Sequence, residues 1–312
     1  RVAIKVENEG MVNSVLKWEN EVLLALQSSP HVPRHHWFGV VNFSKGARPV
    51  LVMQMLGGKD MSALRHRQPS LRMPLQVCLQ LTYQMLDCLK SLHALGFVHR
   101  DVKPSNFIRD SPTSRRFYII DFGLNKRYRW EGGVVRPERP HAEFRGTTMF
   151  ASVKVHEGRD QSPRDDLISL VYVFLELYLG RLPWFQEAVD KQKDIVLQKK
   201  RDLMTNWRSF GPEFCHEDCE SPAEVGVAAS HLLQTLSGLT YDQHPDYDHF
   251  RQTLEDLEPC VQEGAADRFV WEIPDDHNAR QHSKSGSGPS TGTPASSAAS
   301  SSAHISEGSN HW

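Results

Sequence analysis

The apolar pattern divides the chain into two differently built stretches. Val2-Ala3-Ile4-Lys5-Val6 is a short, nearly continuous apolar run and predicts a buried strand. Val15, Leu16, Val22, Leu23 and Leu26 recur at helical spacing and predict a helix from Val15 to Leu26. Trp37 to Val41 and Val50 to Met55 predict two further strands, and Gly57-Gly58 then breaks the pattern. Residues 1–56 therefore read as a small strand-rich unit with one helix.

The second stretch is mainly helical. Leu75 to Leu95 predicts a long amphipathic helix, with Leu79, Leu86, Leu89 and Leu92 among its apolar positions and Gly96 as its stop. Strand-like runs follow at Phe107-Ile108 and Tyr118-Ile119-Ile120. A loop with Gly132-Gly133, Pro137 and Pro140 leads to a helix from about Asp166 to Leu179. That helix is apolar nearly all round, which predicts burial on every side. Further helices are expected over 185–205, 222–236 and 246–257. After Trp271 the composition changes: residues 278–312 are mostly Ser, Gly, His, Ala, Thr and Pro. So few large apolar side chains cannot offset ordering entropy, so 274–312 are expected to be a disordered tail. No internal repeat is visible.

Charge narrows the function classes. The net charge of −2 supplies no global positive field, so nucleic acid is not expected as a partner. The run Lys199-Lys200-Arg201 is expected to be a solvated helix face. Five scattered cysteines (Cys78, Cys88, Cys215, Cys219, Cys260) argue against a disulfide framework and for a reducing compartment, cytoplasmic or nuclear. Cys215-His216-x-x-Cys219 lacks a second ligand pair and is not read as a zinc site. No apolar run is long enough to cross a membrane, and no signal-peptide core opens the chain. The chain begins at Arg1, without Met, inside the first strand-like run.

The chemistry-bearing residues fall in one order. Val2-Ala3-Ile4-Lys5 comes first. His99-Arg100-Asp101-Val102-Lys103-Pro104-Ser105-Asn106 follows the long helix, and Asp121-Phe122-Gly123 follows the next apolar run. Together these resemble the protein-kinase signature set in order and spacing. Transfer of a phosphoryl group from ATP is mostly positioning and charge neutralisation. A carboxylate must take the acceptor proton, which assigns Asp101. Hard oxygen ligands must hold Mg2+, which assigns Asn106 and Asp121. A cation must hold the α- and β-phosphates, which assigns Lys5. A glutamate on the following helix must aim that lysine, and Glu19 and Glu21 both lie there.

The resemblance adds roles to further residues. It selects Glu19 over Glu21, and leaves Glu21 a solvated helix charge. Lys103 is what serine/threonine kinases carry two residues after the catalytic aspartate, and would contact the transferring phosphate. Thr147 resembles the threonine that bonds the catalytic Asp and Lys. Asp166 resembles the aspartate that braces the catalytic loop around Arg100. His99 and Phe122, beside Gly123, are expected to pack as structural residues. Met53 would guard the back of the adenine pocket or simply fill core, and Gln54 and Met55 would form the hinge that recognises the base.

Within the kinases, Ala151-Ser152-Val153-Lys154 stands where Ala-Pro-Glu is usual, which resembles the casein kinase 1 group. Val135-Arg136-Pro137, Phe144-Arg145-Gly146-Thr147 and Leu182-Pro183-Trp184 are similar to its tau-tubulin kinase branch. The likeness covers about residues 1–273. It implies an α+β, two-lobed fold: 1–56 part of the N-lobe and 57–273 the C-lobe. It also implies ATP and magnesium dependence and a monomer acting on Ser or Thr of protein substrates, cytoskeletal ones included, with no membrane partner. Two departures stand out. The two strands and glycine-rich loop that such kinases carry upstream of Lys5 do not precede Arg1, so the N-lobe is expected to be truncated and ATP binding weak. Met149 occupies a position where the group usually has an anion-binding arginine, and Arg145 is the nearby cation that would replace it. The alternative to an active kinase is a catalytically impaired, pseudokinase-like scaffold that binds partner proteins.

Overall fold

The computed structural model describes residues 1–8, 14–68, 70–210 and 221–261. The N-terminal layer is a three-stranded antiparallel sheet of β1 (Val2–Val6), β2 (His35–Phe43) and β3 (Gly46–Gln54), in the order β1-β3-β2. The register sets Ala3 opposite Met53 and Lys5 opposite Leu51. Helix α1 (Val15–Ala25) packs on this sheet through Leu16, Val22 and Leu23, all buried. Its first turn is tied down by two local acceptors: Ser14 Oγ accepts from the Lys17 amide, and the Glu7 carboxylate accepts from the Leu16 amide.

A second, mainly helical body follows: α2 (Met61–His66), α3 (Leu75–Ala94), α4 (Val153–His156), α5 (Pro163–Leu179), α6 (Phe185–Val189), α7 (Lys193–Asn206), α8 (Pro222–Gly238) and α9 (Tyr247–Glu255). Helix α5 is its axis. Every residue from Pro163 to Tyr178 is buried, with α3 on one side and α8 on another. Two short ladders shape the loops between α3 and α4. They are β4 (Phe97–Val98) with β7 (Lys126–Arg127), and β5 (Phe107–Arg109) with β6 (Phe117–Ile119). Gly96, at φ +83°, makes the turn out of α3 that a side chain would strain. Among the described residues no helix is long and apolar enough to cross a membrane.

Three expectations change. The first strand is not buried: Val2 and Ile4 are 45% and 62% exposed. Within the described sheet β1 pairs with β3 alone, so it is an edge strand. The helix expected over 185–205 is two helices, broken where Lys191 takes a left-handed φ of +60°. Lys199-Lys200-Arg201 is a solvated face only in part: Arg201 is exposed, but Lys200 is completely buried between α4, α5 and the segment before α4. The Cys215/Cys219 pair and the Ser-rich tail from 274 lie outside the described residues.

Candidate active site

The site forms where the sheet layer meets the helical body. Lys5 projects from β1, and its ammonium donates to both Glu19 carboxylate oxygens at 2.8 and 2.7 Å and to Asp121 Oδ1 at 3.0 Å. Glu19 is buried on α1, one helical stripe inward from the exposed Glu21. Gly123 lets α1 come this close: a Cβ there would stand 3.1 Å from Val15 Cγ1. Burial works against the charge on Lys5, but Glu19 and then Asp121 outweigh it and hold the lysine above its ordinary pKa. Burial likewise works against ionised Asp121, and Lys5 overrides it, so this carboxyl sits below the usual range. Asp121 also holds a left-handed φ of +67°, a strained conformation for an aspartate.

Asp101 lies across from this triad. Its two carboxylate oxygens are separately engaged: Lys103 Nζ meets Oδ2 at 2.7 Å and Thr147 Oγ1 donates to Oδ1 at 2.7 Å. Two fixed donors leave the carboxylate one orientation. Asn106 donates its amide to the Asp101 carbonyl at 2.8 Å, so its carboxamide oxygen is the atom that could face a cation. With the half-exposed, ionised Asp121 carboxylate, this is a hard-oxygen donor set, and its chemistry fits magnesium.

The loop carrying Asp101 is braced from α5. The buried Asp166 carboxylate accepts from the His99 amide at 2.6 Å, the Arg100 amide at 2.8 Å and His93 Nε2 at 2.9 Å. Although burial opposes it, these donors hold the Asp166 carboxyl below its ordinary value. His99 and Phe122 meet edge-on, 6.0 Å between ring centres, both buried. The structure thus brings together Lys5, Glu19, Asp101, Lys103, Asn106, Asp121, Thr147 and Asp166. Met53 is only partly buried. The Gln54 amide is already spent on the Arg34 carbonyl at 2.8 Å, and Met55 is exposed, so of these two hinge positions Met55 is the more open.

The sequence reading gave Gly146 and Asp160 no role in the site. Gly146, at φ +107°, lies so close to the Asp101 loop that a Cβ would stand 2.4 Å from the Arg100 carbonyl. Asp160 gathers Lys126 at 2.5 Å and Arg139 at 2.8 Å. A cavity of about 520 Å³ opens beside the triad, lined by Arg100, Arg139, Arg145 and Gly123 among others. Burial, with Arg139 adjacent, pushes the Arg100 guanidinium down to about 10. Arg145 itself pairs with Glu143 at 2.5 Å on the surface.

The sequence profile of the protein kinase domain matches residues 2–245. A Dictyostelium discoideum protein named as a serine/threonine-protein kinase is 34% identical over 275 residues, 88% of this chain and 51% of that protein. A Caenorhabditis elegans protein named as a casein kinase I is 36% identical over 190 residues, 58% of this chain and 53% of that protein. The chain spans about half the length of these relatives. The fold is accordingly a kinase fold, with a few N-terminal strands and a helical second lobe around the braced Asp101 loop. With the profile running from β1 to the turn before α9, the chain belongs to the protein kinase domain family.

Proposed function

We propose that the chain is the catalytic part of a serine/threonine protein kinase, transferring the γ-phosphate of ATP to Ser or Thr hydroxyls of protein substrates. The observation that carries this reading is the paired arrangement of a doubly held Asp101 carboxylate facing a Lys5–Glu19–Asp121 charge triad. In it, Asp101 orients the acceptor hydroxyl and takes its proton, and Lys103 neutralises charge on the phosphoryl group in transit. Lys5, aimed by Glu19, holds the α- and β-phosphates. Asp121 and Asn106 would hold magnesium, which supplies charge neutralisation between the phosphates when bound. Residues 1–56 serve as the N-lobe part and 57–273 as the C-lobe, with the nucleotide between them.

A place in the casein kinase 1 group is supported by the name of the Caenorhabditis elegans relative and by Ala151-Ser152-Val153 in the Ala-Pro-Glu position. The tau-tubulin branch, cytoskeletal substrates, a monomeric state and a cytoplasmic or nuclear location are the finer parts of the same proposal.

The test is Asp101→Asn with magnesium-ATP and casein. Transfer should fall by about 10²–10⁴-fold, the usual share of a general base, while nucleotide binding persists. Near-normal transfer by the variant refutes Asp101 as the base. A folded wild type that binds partners and transfers nothing makes the scaffold reading the better one.

A further inference from the structure

Segment 148–151 runs directly from Thr147, whose hydroxyl is 2.7 Å from the Asp101 carboxylate. On the kinase reading, a protein chain presenting a hydroxyl to Asp101 comes close to this segment. Its backbone is held in an unusual way. Four successive carbonyls are each taken by a side chain from the helical body. Lys200 Nζ donates to Thr148 O at 2.8 Å and to Ala151 O at 2.6 Å. Trp184 Nε1 donates to Met149 O at 2.8 Å, and Ser169 Oγ donates to Phe150 O at 2.7 Å.

Lys200 is the residue that needs explaining. It is fully buried, and among the described residues no carboxylate pairs with it. A buried ammonium without a counter-charge is costly unless its donors are all used. Here the third hydrogen-bond partner is His156 Nε2 at 3.3 Å, and the Tyr172 and Trp184 rings lie 5.0 and 5.4 Å away. Packing alone would be served by a methionine of similar volume. The lysine head adds two fixed carbonyl positions, at either end of the backbone turn that follows Thr147.

We propose that Lys200 is a positioning residue that sets the 148–151 segment for docking of the protein substrate; this rests on the kinase reading above. It acts through the backbone and touches neither nucleotide nor acceptor. The pair Lys200→Met and Lys200→Arg tests it, with dephosphorylated casein and magnesium-ATP varied separately. Lys200→Met should raise the KM for casein about 10-fold, as expected for losing two buried hydrogen bonds. The KM for ATP should stay constant, and Lys200→Arg should recover part of the casein KM. Amide hydrogen exchange over 148–151 should accelerate in Lys200→Met. An unchanged casein KM, or equal rises in both KM values, overturns the proposal. Failure of both variants to fold also overturns it, since Lys200 would then be a folding residue. If the wild type transfers no phosphate, the kinase reading fails by itself. Hydrogen exchange over 148–151 in Lys200→Met then decides the positioning claim: faster exchange supports it and unchanged exchange refutes it.

Discussion

Burial pushes the His156 imidazole down to about 3, with Lys200 next in disfavouring its charged form, the Thr148 backbone favouring it, and Lys193 adding a smaller push down. The folded state therefore keeps His156 neutral while the unfolded chain protonates it near 6.5. The unfolded state binds the extra proton, so stability contributed here is complete above about 6.5 and falls steadily as pH drops toward 3. His156→Gln keeps a neutral polar group and should narrow the gap between urea midpoints at about pH 7.5 and about pH 5. An unchanged gap would assign the acid lability to another group. Nothing in the local sequence around His156 announces this, because its burial comes from packing between elements and the nearest cation, Lys200, lies 44 positions away on α7.

At the scale of elements, one glycine lets the segment between β7 and α4 approach the Asp101 loop. Gly146 combines a left-handed φ with a Cβ position 2.4 Å from the Arg100 carbonyl. Gly146→Ala must push the segment away from the Asp101 loop and loosen the Thr147–Asp101 hydrogen bond. Phosphate transfer should fall at least ~100-fold, as for other small misplacements of catalytic groups. Nucleotide binding through Lys5 should survive. Full transfer by the variant, measured beside nucleotide affinity, would show that the segment can shift at no cost. Helix α3 was legible from periodicity and α5 from a long apolar run, both properties of the element itself. The break between α6 and α7 was not, because a polar run with Lys191 at φ +60° lacks the Gly or Pro that usually marks such a stop.

Across the whole molecule, Asp160 is the junction of three separated segments. Its carboxylate meets Lys126 from β7 and Arg139 from the loop beyond, and Lys126 also donates to the Tyr241 hydroxyl at 3.0 Å. Burial would raise this carboxyl, but Arg139 and Lys126 carry it well below the ordinary range. A depressed carboxyl contributes stability that is complete above its unfolded value near 3.8 and is lost as pH falls toward the folded one. Asp160→Asn should cost about 2–3 kcal/mol at neutral pH, below the figure for fully buried pairs because Arg139 is half exposed. The same variant should flatten the acid limb below about pH 4 in chemical denaturation. A neutral-pH loss near zero would mean the junction is made by packing rather than charge.

Lys5, Asp101, Asn106 and Asp121 were readable in order along the chain, because each lies in a short contiguous run, whereas Glu19, Lys103 and Thr147 took their proposed roles from the family resemblance. The order of helices and most strands was readable too, because hydrophobic periodicity is a local property. Tertiary structure alone decided what each outward or inward face would meet. It left Val2 and Ile4 exposed on β1, and drew Lys200 out of an apparently solvated run into a dry pocket of carbonyls and rings. It also set Gly146 against Arg100 and Asp160 between two cations. Each of these depends on groups many positions away, and their desolvation and close approach are defined only once the layers have packed.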